Sequence, residues 1–279
     1  MSPRPADPFH VALYFNDLTI NNAKVGAIKD AASGIRWGHI SAGFDDPMLS
    51  QLAKLARDGA KRRCAPNSTS NQKEPFPPEL MDKVIKRYAT STNLMEIRFL
   101  VLLLLGFAGF LRRSELRAIQ VKHITFFSGH LTITIPSSKT DQLREGHVVH
   151  VARTGSPACP FNWVNTYISL TGLKDEDFLM CRLAKTRVGH NAIGRYPISF
   201  STMRSSFFKG MEGLWGEDHP KGSYSLHSLR SGGASAASNN DVPERLIGKQ
   251  GRWKSHKSRD TYIKDSTAKR LIASNNVGL

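Results

Sequence analysis

Residues 224–237 read YSLHSLRSGGASAA, a stretch in which His227 and Arg230 stand three positions apart. If the stretch is helical, this spacing places both side chains on one face of the helix. The small residues that follow Arg230 would let another backbone approach closely, either that of a neighbouring helix or that of DNA. The stretch therefore predicts a helix that presents an imidazole and a guanidinium together.

Two upstream segments carry further positive groups. The segment FLRRSEL, residues 110–116, follows an apolar run broken by glycines and contains Arg112 and Glu115. The segment SSKTD, residues 137–141, places Lys139 at the tip of a predicted hairpin. Each is ordinary by itself, because a charged helix start and a hairpin lysine are usually solvated.

The fourth segment, GRWKSH at residues 251–256, leads into a helix predicted from Arg259 to Ala273. That predicted helix contains Tyr262. A lone tyrosine near a C-terminus most often serves packing. The significance of Tyr262 therefore depends on the other three segments.

Taken in chain order, the four segments resemble the catalytic set of the tyrosine recombinase (phage integrase) family. That family shows an Arg-x-Ser-Glu-Leu motif, a hairpin lysine, a His-x-x-Arg motif, a His or Trp, and a nucleophilic tyrosine nine positions beyond it. The matching residues here are Arg112, Lys139, His227, Arg230, Trp253 and Tyr262. The motifs HSLRSGGA and GRWKS look closest to recombinases of eukaryotic DIRS-like mobile elements.

Two positions depart from the commoner bacterial pattern of the family. Ser231 follows Arg230 where a second histidine is often found, and Trp253 replaces the more usual histidine. Neither change removes a charge that the reaction needs. Because tryptophan donates a hydrogen bond but cannot carry a proton, acid–base chemistry falls to other groups.

The resemblance implies a DNA strand transferase that needs no metal ion, no ATP and no other cofactor. Arg112 and Arg230 would grip the non-bridging oxygens of a phosphodiester, since planar guanidinium groups bind such oxygens in pairs. Tyr262 would attack the phosphorus and form a 3′-phosphotyrosine that conserves the bond energy for rejoining.

The remaining residues of the set would handle protons and orientation. His227 would help the phenol to lose its proton, because phenols ordinarily have a pKa of about 10. The family resemblance implies that Lys139 protonates the leaving 5′ oxygen. Trp253 would donate a hydrogen bond to a phosphate oxygen beside the tyrosine. Glu115 would orient an arginine without contacting the phosphate itself.

The chain predicts a fold that is mainly α with a small antiparallel β-sheet. Residues 1–64 have helical periodicity and resemble the family's helical core-binding domain; whether the first helix of that domain is present stays open. Residues 65–78 are polar and proline-rich, which is typical of a flexible linker. Residues 79–279 resemble the catalytic domain, which has the DNA breaking-rejoining fold. Its predicted helices are 79–88, 99–109, 114–119, 161–170, 202–214, 227–237, 243–247 and 259–273, and its predicted strands lie at 131–135 and 147–151.

The charge of the chain points to a polyanionic partner, and double-stranded DNA is the expected one. Lys and Arg total 39 against 23 Asp and Glu, a formal net charge of +16. One predicted helix in the first domain ends in a basic run that would either meet phosphates or form a solvated face at the helix C-terminus. Its candidate DNA-binding residues are Lys54, Arg57, Lys61, Arg62 and Arg63.

Cysteine usage and hydropathy bear on the compartment. The three cysteines form no Cys-x-x-Cys pair, and no histidine cluster has zinc spacing. The apolar run from Phe99 to Leu111 is too short to cross a bilayer and contains two glycines. We expect an intracellular protein that avoids membranes, located in the nucleus if its source is eukaryotic.

A recombinase of this type would assemble as a homo-oligomer, commonly four protomers around two DNA sites. The tail from Ile263 to Leu279 carries Leu271, Ile272, Val277 and Leu279, which would either dock on a neighbouring protomer or cover the chain's own core.

Two rival functions stay open. A type IB topoisomerase uses similar residues without a partner site, and a captured recombinase fold can serve as a DNA-binding module without catalysis.

Overall fold

A computed structural model describes residues 5–66, 73–135, 146–187 and 189–278 of the chain. The chain forms two compact units, Met1–Gln72 and Lys73–Leu279. Among the described residues, no helix has both the length and the apolar character needed to cross a membrane.

The first unit is helical, as the periodicity of residues 1–64 predicts; its described helices are α1 (Pro8–Ile20), α2 (Val25–Ile40) and α3 (Gln51–Cys64), with a 3₁₀ turn at Pro47–Leu49. Asp7 caps α1 by accepting a hydrogen bond from the Phe9 amide at 2.7 Å. Phe15 and Ile28 are fully buried between the helices. Apolar side chains at helical spacing therefore supply this unit's core.

The second unit is built from nine described helices: α4 (Pro78–Tyr88), α5 (Leu94–Ala108), α6 (Arg113–Ala118), α7 (Pro160–Thr171), α8 (Phe200–Gly210), α9 (Leu226–Asn239), α10 (Glu244–Gly251), α11 (His256–Asp260) and α12 (Thr267–Asn275). Short 3₁₀ turns lie at Val121–His123 and Lys221–Ser223. The apolar helix α5 is buried from Ile97 to Gly106 and packs against α7, α8 and α9. The helix predicted for residues 99–109 is thus present and buried, although it begins earlier, at Leu94.

The residues just before α4 belong to the second unit. The Glu74 amide donates to the Ser223 carbonyl at 2.9 Å, and the Phe76 amide donates to the Ser228 carbonyl at 2.8 Å. Phe76 is fully buried. The end of the proline-rich stretch is thus fixed across the start of α9.

The predicted antiparallel sheet is present, with strand order β1-β2-β3. Its strands are β1 (Ile124–Phe126), β2 (His130–Ile135) and β3 (His147–Ala152). Leu131, Ile133 and Ile135 point to the buried face, as the alternating pattern predicts. The connection from β2 to β3, residues 136–145, lies outside the described residues, and with it Lys139.

A second hairpin, β4 (Cys181–Thr186) and β5 (Gly189–Pro197), was not predicted. Its sequence lacks clean alternation, because most of its side chains are at least partly exposed on both faces. It is held by a tertiary contact: Arg98 of α5, itself buried, donates from Nη1 to the Cys181 carbonyl at 2.6 Å.

The single helix predicted for residues 259–273 is wrong. Helix α11 ends at Asp260, and α12 begins only at Thr267, so Tyr262 lies in the connector between them. Side chains of α9 account for the break: the Lys264 amide donates to Ser235 Oγ at 2.9 Å, and the Ser266 amide donates to Asn239 Oδ1 at 3.0 Å. These bonds engage backbone groups that a continuous helix would need.

Candidate active site

Helix α9 carries two of the predicted site residues, His227 in its first turn and Arg230 one turn later. A Cβ atom on Gly232 would lie 2.2 Å from the Phe76 carbonyl oxygen, and one on Gly233 would lie 2.0 Å from that of Phe107. The backbone of Phe76 and that of Phe107 therefore fill the space that these two glycines leave free. The alternative, that a DNA backbone lies there, is excluded for both glycines.

Arg230 is fully buried. Its Nη1 donates to the Phe110 carbonyl, and its Nη2 donates to the Gly251 carbonyl at 2.5 Å. Burial, and then the positive charges of Arg112 and Arg252, lower the pKa of Arg230. Because an arginine starts far above neutrality, it keeps its charge at neutral pH.

Arg112 and Glu115 meet at the start of α6. The Glu115 carboxylate accepts from the Arg112 amide at 2.8 Å and from Arg112 Nη1 at 2.7 Å. The same carboxylate accepts from Arg252 Nη2 at 2.7 Å. One buried carboxylate thus joins two guanidinium groups, and we call Arg112, Arg230 and Arg252 with Glu115 the arginine cluster.

Phe110 and Arg252 hold the cluster together through unusual backbone geometry. Both have positive φ, 47° and 56°, a conformation that costs a non-glycine residue free energy. The Phe110 carbonyl accepts from Arg230 Nη1 and, at 3.2 Å, from Arg252 Nη2. Sequence reasoning missed both residues as parts of the site, because positive φ at a large side chain has no local signature.

Two aromatic rings cover the guanidinium group of Arg230, and the ring of His227 packs beside them. Trp253 lies with its ring centroid 4.4 Å from Arg230 Cζ, and the Tyr262 centroid lies at 5.2 Å from the same atom. Tyr262 contacts Trp253 at 5.1 Å and His227 at 5.2 Å between centroids. Three of the four segments therefore converge on one place: that of Arg112, that of His227 and Arg230, and that of Trp253 and Tyr262. The segment of Lys139 lies outside the described residues.

His227 is exposed to solvent on one side, and its ring packs against Tyr262 on the other. Desolvation by burial lowers the pKa of His227, and the charges of Arg230, Arg112 and Arg113 lower it further. A lowered pKa leaves the imidazole neutral, and thus able to accept a proton, at neutral pH.

Tyr262 sits on a short connector, residues 261–266, which we call the tyrosine segment. Ser235 Oγ donates to the Tyr262 carbonyl at 3.3 Å and accepts from the Lys264 amide at 2.9 Å. Asn239 Nδ2 donates to the Lys264 carbonyl at 3.3 Å. Two polar side chains of α9 therefore attach the segment to the helix that carries His227 and Arg230.

Three nitrogen donors around Arg230 are buried without a hydrogen-bond partner in the described part of the chain. They are Nε of Arg230, Nε of Arg252 and Nε1 of Trp253. Unpaired buried donors cost free energy. Over the described ranges, no group of three or more His, Cys, Asp or Glu residues is arranged to hold a metal ion.

The basic residues predicted to bind DNA lie on α3 of the first unit. Arg57 and Lys61 form ion pairs with Asp58 at 2.9 and 3.2 Å, and the hydrogen bond from Arg57 is the largest cause that lowers the pKa of Asp58 to about 2. Arg62 and Arg63 are exposed at the helix end. Their contact with phosphates stays a prediction.

Solved structures with this fold include three recombinases bound to DNA. The Tn1549 transposon integrase with transposon right end DNA has a TM-score of 0.61 at 10% identity, covering 100% of this chain and 88% of that one. A lambda integrase dimer bound to a COC′ core site has a TM-score of 0.59 at 14% identity, covering 96% and 83%. The XerH recombinase in a post-cleavage complex with palindromic difH has a TM-score of 0.56 at 14% identity, covering 99% and 73%.

A relative at higher identity is the integrase/recombinase xerD homolog of Selenomonas ruminantium. It is 28% identical over 265 residues, which span 93% of this chain and 74% of the relative. Since this relative is bacterial, it lends no support to a nuclear location. The model of the phage integrase family matches residues 78–269, the region that contains the arginine cluster, His227, Trp253 and Tyr262. The chain belongs to the phage integrase family, the family of the tyrosine recombinases.

Proposed function

We propose that this protein is a site-specific DNA recombinase that cleaves and rejoins double-stranded DNA through a 3′-phosphotyrosine at Tyr262. The observation that carries the proposal is the convergence of Arg112, His227, Arg230, Trp253 and Tyr262 from distant segments into one contact group. The DNA complexes of the structural relatives support the choice of partner. The chain's net charge of +16 is consistent with it.

The chemistry is a transesterification. The Tyr262 oxygen bonds to phosphorus while the bond from phosphorus to the 5′ oxygen breaks, and His227 takes the phenol proton. The leaving oxygen gains a proton and becomes a 5′ hydroxyl, which attacks the phosphotyrosine in the reverse step. Lys139, on the undescribed connection, is our candidate donor. Neutralisation of the phosphate comes from arginines, so the proposed reaction uses neither a metal ion nor ATP.

Binding of DNA requires the site to open. Arg230 has no exposed surface, and Trp253 and Tyr262 cover its guanidinium group. The unpaired Nε of Arg230 and Nε1 of Trp253 are donors that a phosphate oxygen could satisfy once the two rings move apart. The rearrangement would replace two unpaired buried donors with hydrogen bonds to the substrate.

We further propose that protomers assemble through the C-terminal tail, commonly as a tetramer on two DNA sites. Leu271, Ile272 and Val277 are 49%, 56% and 61% exposed, and α12 buries none of its side chains. The start of α12 is attached to the end of α9: Lys269 Nζ donates to the Ser238 carbonyl and also pairs, at 2.8 Å, with Asp241 just beyond that helix. An exposed apolar tail favours a recombinase over a topoisomerase that acts as a monomer. On the resemblance of the motifs HSLRSGGA and GRWKS, we propose that the recombination serves to move a mobile genetic element.

A nicked suicide substrate tests the proposed function. Wild-type protein should form a covalent adduct with the DNA, visible as a shifted band under denaturing conditions, because the cleaved end diffuses away and prevents rejoining. Tyr262→Phe should form none while retaining DNA binding and its unfolding temperature, since only the phenolic oxygen is lost. Binding by wild-type protein without any adduct would favour the non-catalytic DNA-binding module.

A further inference from the structure

Arg252 is unusual among the arginines of the second unit. It is 7% exposed, its backbone is left-handed, and it ends α10 directly before Trp253. Its Nη1 donates to the Gln250 carbonyl at 2.9 Å. Burial of the charge costs free energy, and so does the left-handed backbone. We therefore ask what the contacts of this side chain contribute.

The Nη2 of Arg252 contacts the partners of both predicted phosphate-binding arginines. It donates to Glu115 Oε2 at 2.7 Å, and Glu115 Oε1 accepts from Arg112 at 2.7 Å. It also donates at 3.2 Å to the Phe110 carbonyl, the acceptor for Arg230. One guanidinium group is thus placed to orient two others.

The charge balance of this network matters as much as its geometry. The side chains of Glu115 and Arg252 are each only 2% exposed, so solvent screens their interaction weakly. Two guanidinium groups around one carboxylate leave one net positive charge. Without Arg252, the carboxylate would neutralise Arg112 alone, and the pair would offer a phosphate no net charge. Burial lowers the pKa of Arg252, whereas the adjacent Glu115 carboxylate raises it.

We propose that Arg252 is a positioning residue for DNA cleavage. It neutralises Glu115 and fixes the Phe110 carbonyl, so that Arg112 and Arg230 keep their orientation and their charge for the phosphate. This inference rests on the proposed function, because it assigns Arg252 to the same reaction.

Arg252→Gly isolates the guanidinium group from the backbone, because glycine adopts positive φ without strain. Single-turnover cleavage of the suicide substrate at saturating protein should slow by about 10- to 100-fold, the range typical of residues that support a catalytic group. The Kd for DNA should change far less. Arg252→Lys should recover part of the rate, since an ammonium group can pair with Glu115 but cannot also span to Phe110. Lys174→Ala, which removes an exposed positive charge elsewhere in the unit, is the matched control.

A double-mutant cycle with Glu115→Gln distinguishes positioning from general packing. Neutralisation of Glu115 is the larger of the two proposed roles and the contact with Phe110 the smaller, so Arg252→Gly should slow cleavage by less than about threefold in the Glu115→Gln background. A full-sized effect in that background would overturn the proposal. Thermal unfolding monitors the folded state of each variant, and Arg252→Lys takes the place of Arg252→Gly in the cycle if the glycine variant does not fold.

Failure of this inference differs visibly from failure of the proposed function. Absence of an adduct with wild-type protein refutes the function itself. An adduct with wild-type protein, lost in Tyr262→Phe but formed at the wild-type rate by Arg252→Gly, refutes only the role of Arg252.

Discussion

The arginine cluster and the tyrosine segment contact each other but are held in different ways. Arg230 is fully buried and bonded to two backbone carbonyls, whereas Tyr262 is partly exposed on a connector between two short helices. Groups that stabilise developing charge gain from rigid placement in a dry environment. A nucleophile that must reach a phosphate and later release it gains from attachment by a few hydrogen bonds. In the proposed reaction, the arginine cluster therefore supplies rigidly placed positive charge, and the tyrosine segment supplies a nucleophile that can move.

Among substitutions that separate the roles of the two regions, Arg230→Lys should have the largest effect on the rate of DNA cleavage. Lysine cannot reproduce a planar pair of donors, so cleavage should slow by about 100- to 1,000-fold in a single-turnover assay. Arg98→Lys is the matched control, because Arg98 is an equally buried arginine that binds the carbonyl of Cys181 away from the site. It should lower the unfolding temperature without slowing cleavage by folded protein. Equal rate losses in both variants would show that Arg230 is structural.

A smaller effect is expected at the boundary between the two regions, where His227 lies. Its lowered pKa means that the neutral imidazole, the form able to accept a proton, predominates already below the ordinary histidine pKa of about 6.5. Cleavage should therefore rise with pH through the lowered pKa and level off near neutrality.

His227→Gln should remove this acid limb and slow cleavage by about 100-fold, since glutamine can hydrogen-bond but cannot accept a proton. His190→Gln in the second hairpin should keep the wild-type pH profile. A wild-type rate that falls as pH rises through the same range would assign activity to the imidazolium form instead.

The smallest expected effect concerns the attachment of the tyrosine segment. Ser235→Ala removes the hydroxyl that bonds the Tyr262 carbonyl and the Lys264 amide. Loss of roughly 1 kcal/mol should slow cleavage about fivefold. Ser231→Ala is the control, because the Ser231 hydroxyl bonds only within α9, to the Ser228 carbonyl at 3.2 Å. A faster Ser235→Ala enzyme would mean that this attachment restrains the segment.

The sequence predicted which residues the structure brings together better than it predicted the backbone around them. Arg112, His227, Arg230 and Tyr262 could be named because their side-chain types and order carry the resemblance. The connector around Tyr262 could not be predicted, because Ser235 and Asn239 interrupt an otherwise helical pattern through tertiary bonds. Phe110 and Arg252 were missed for a different reason. Each takes the left-handed position just past a helix end, where the Leu111 amide donates to the Gly106 carbonyl and the Trp253 amide to the Gly248 carbonyl, and that position usually holds glycine rather than a large side chain.

The same limit applies to the fold. The buried helix α5 and the strand β2 follow directly from apolar periodicity. The hairpin from Cys181 to Pro197 has no such pattern, because it buries little on either face. Scattered tertiary contacts hold it, among them the Arg98 bond to Cys181 and the Phe178 amide bond to the Gly194 carbonyl. Elements that bury one continuous face were predictable from sequence, whereas an element held by scattered tertiary contacts was not.

The two glycines of α9 have a consequence for genetic screens. Any side chain at Gly232 or Gly233 would collide with the backbone of Phe76 or Phe107 and displace the helix that carries His227 and Arg230. Random mutagenesis scored by loss of recombination would therefore return codons 232 and 233 as often as the codons for the reacting groups. Soluble yield of each isolate would separate the glycine replacements, which should deplete folded protein, from replacements of the more accessible reacting groups His227 and Tyr262, which should not.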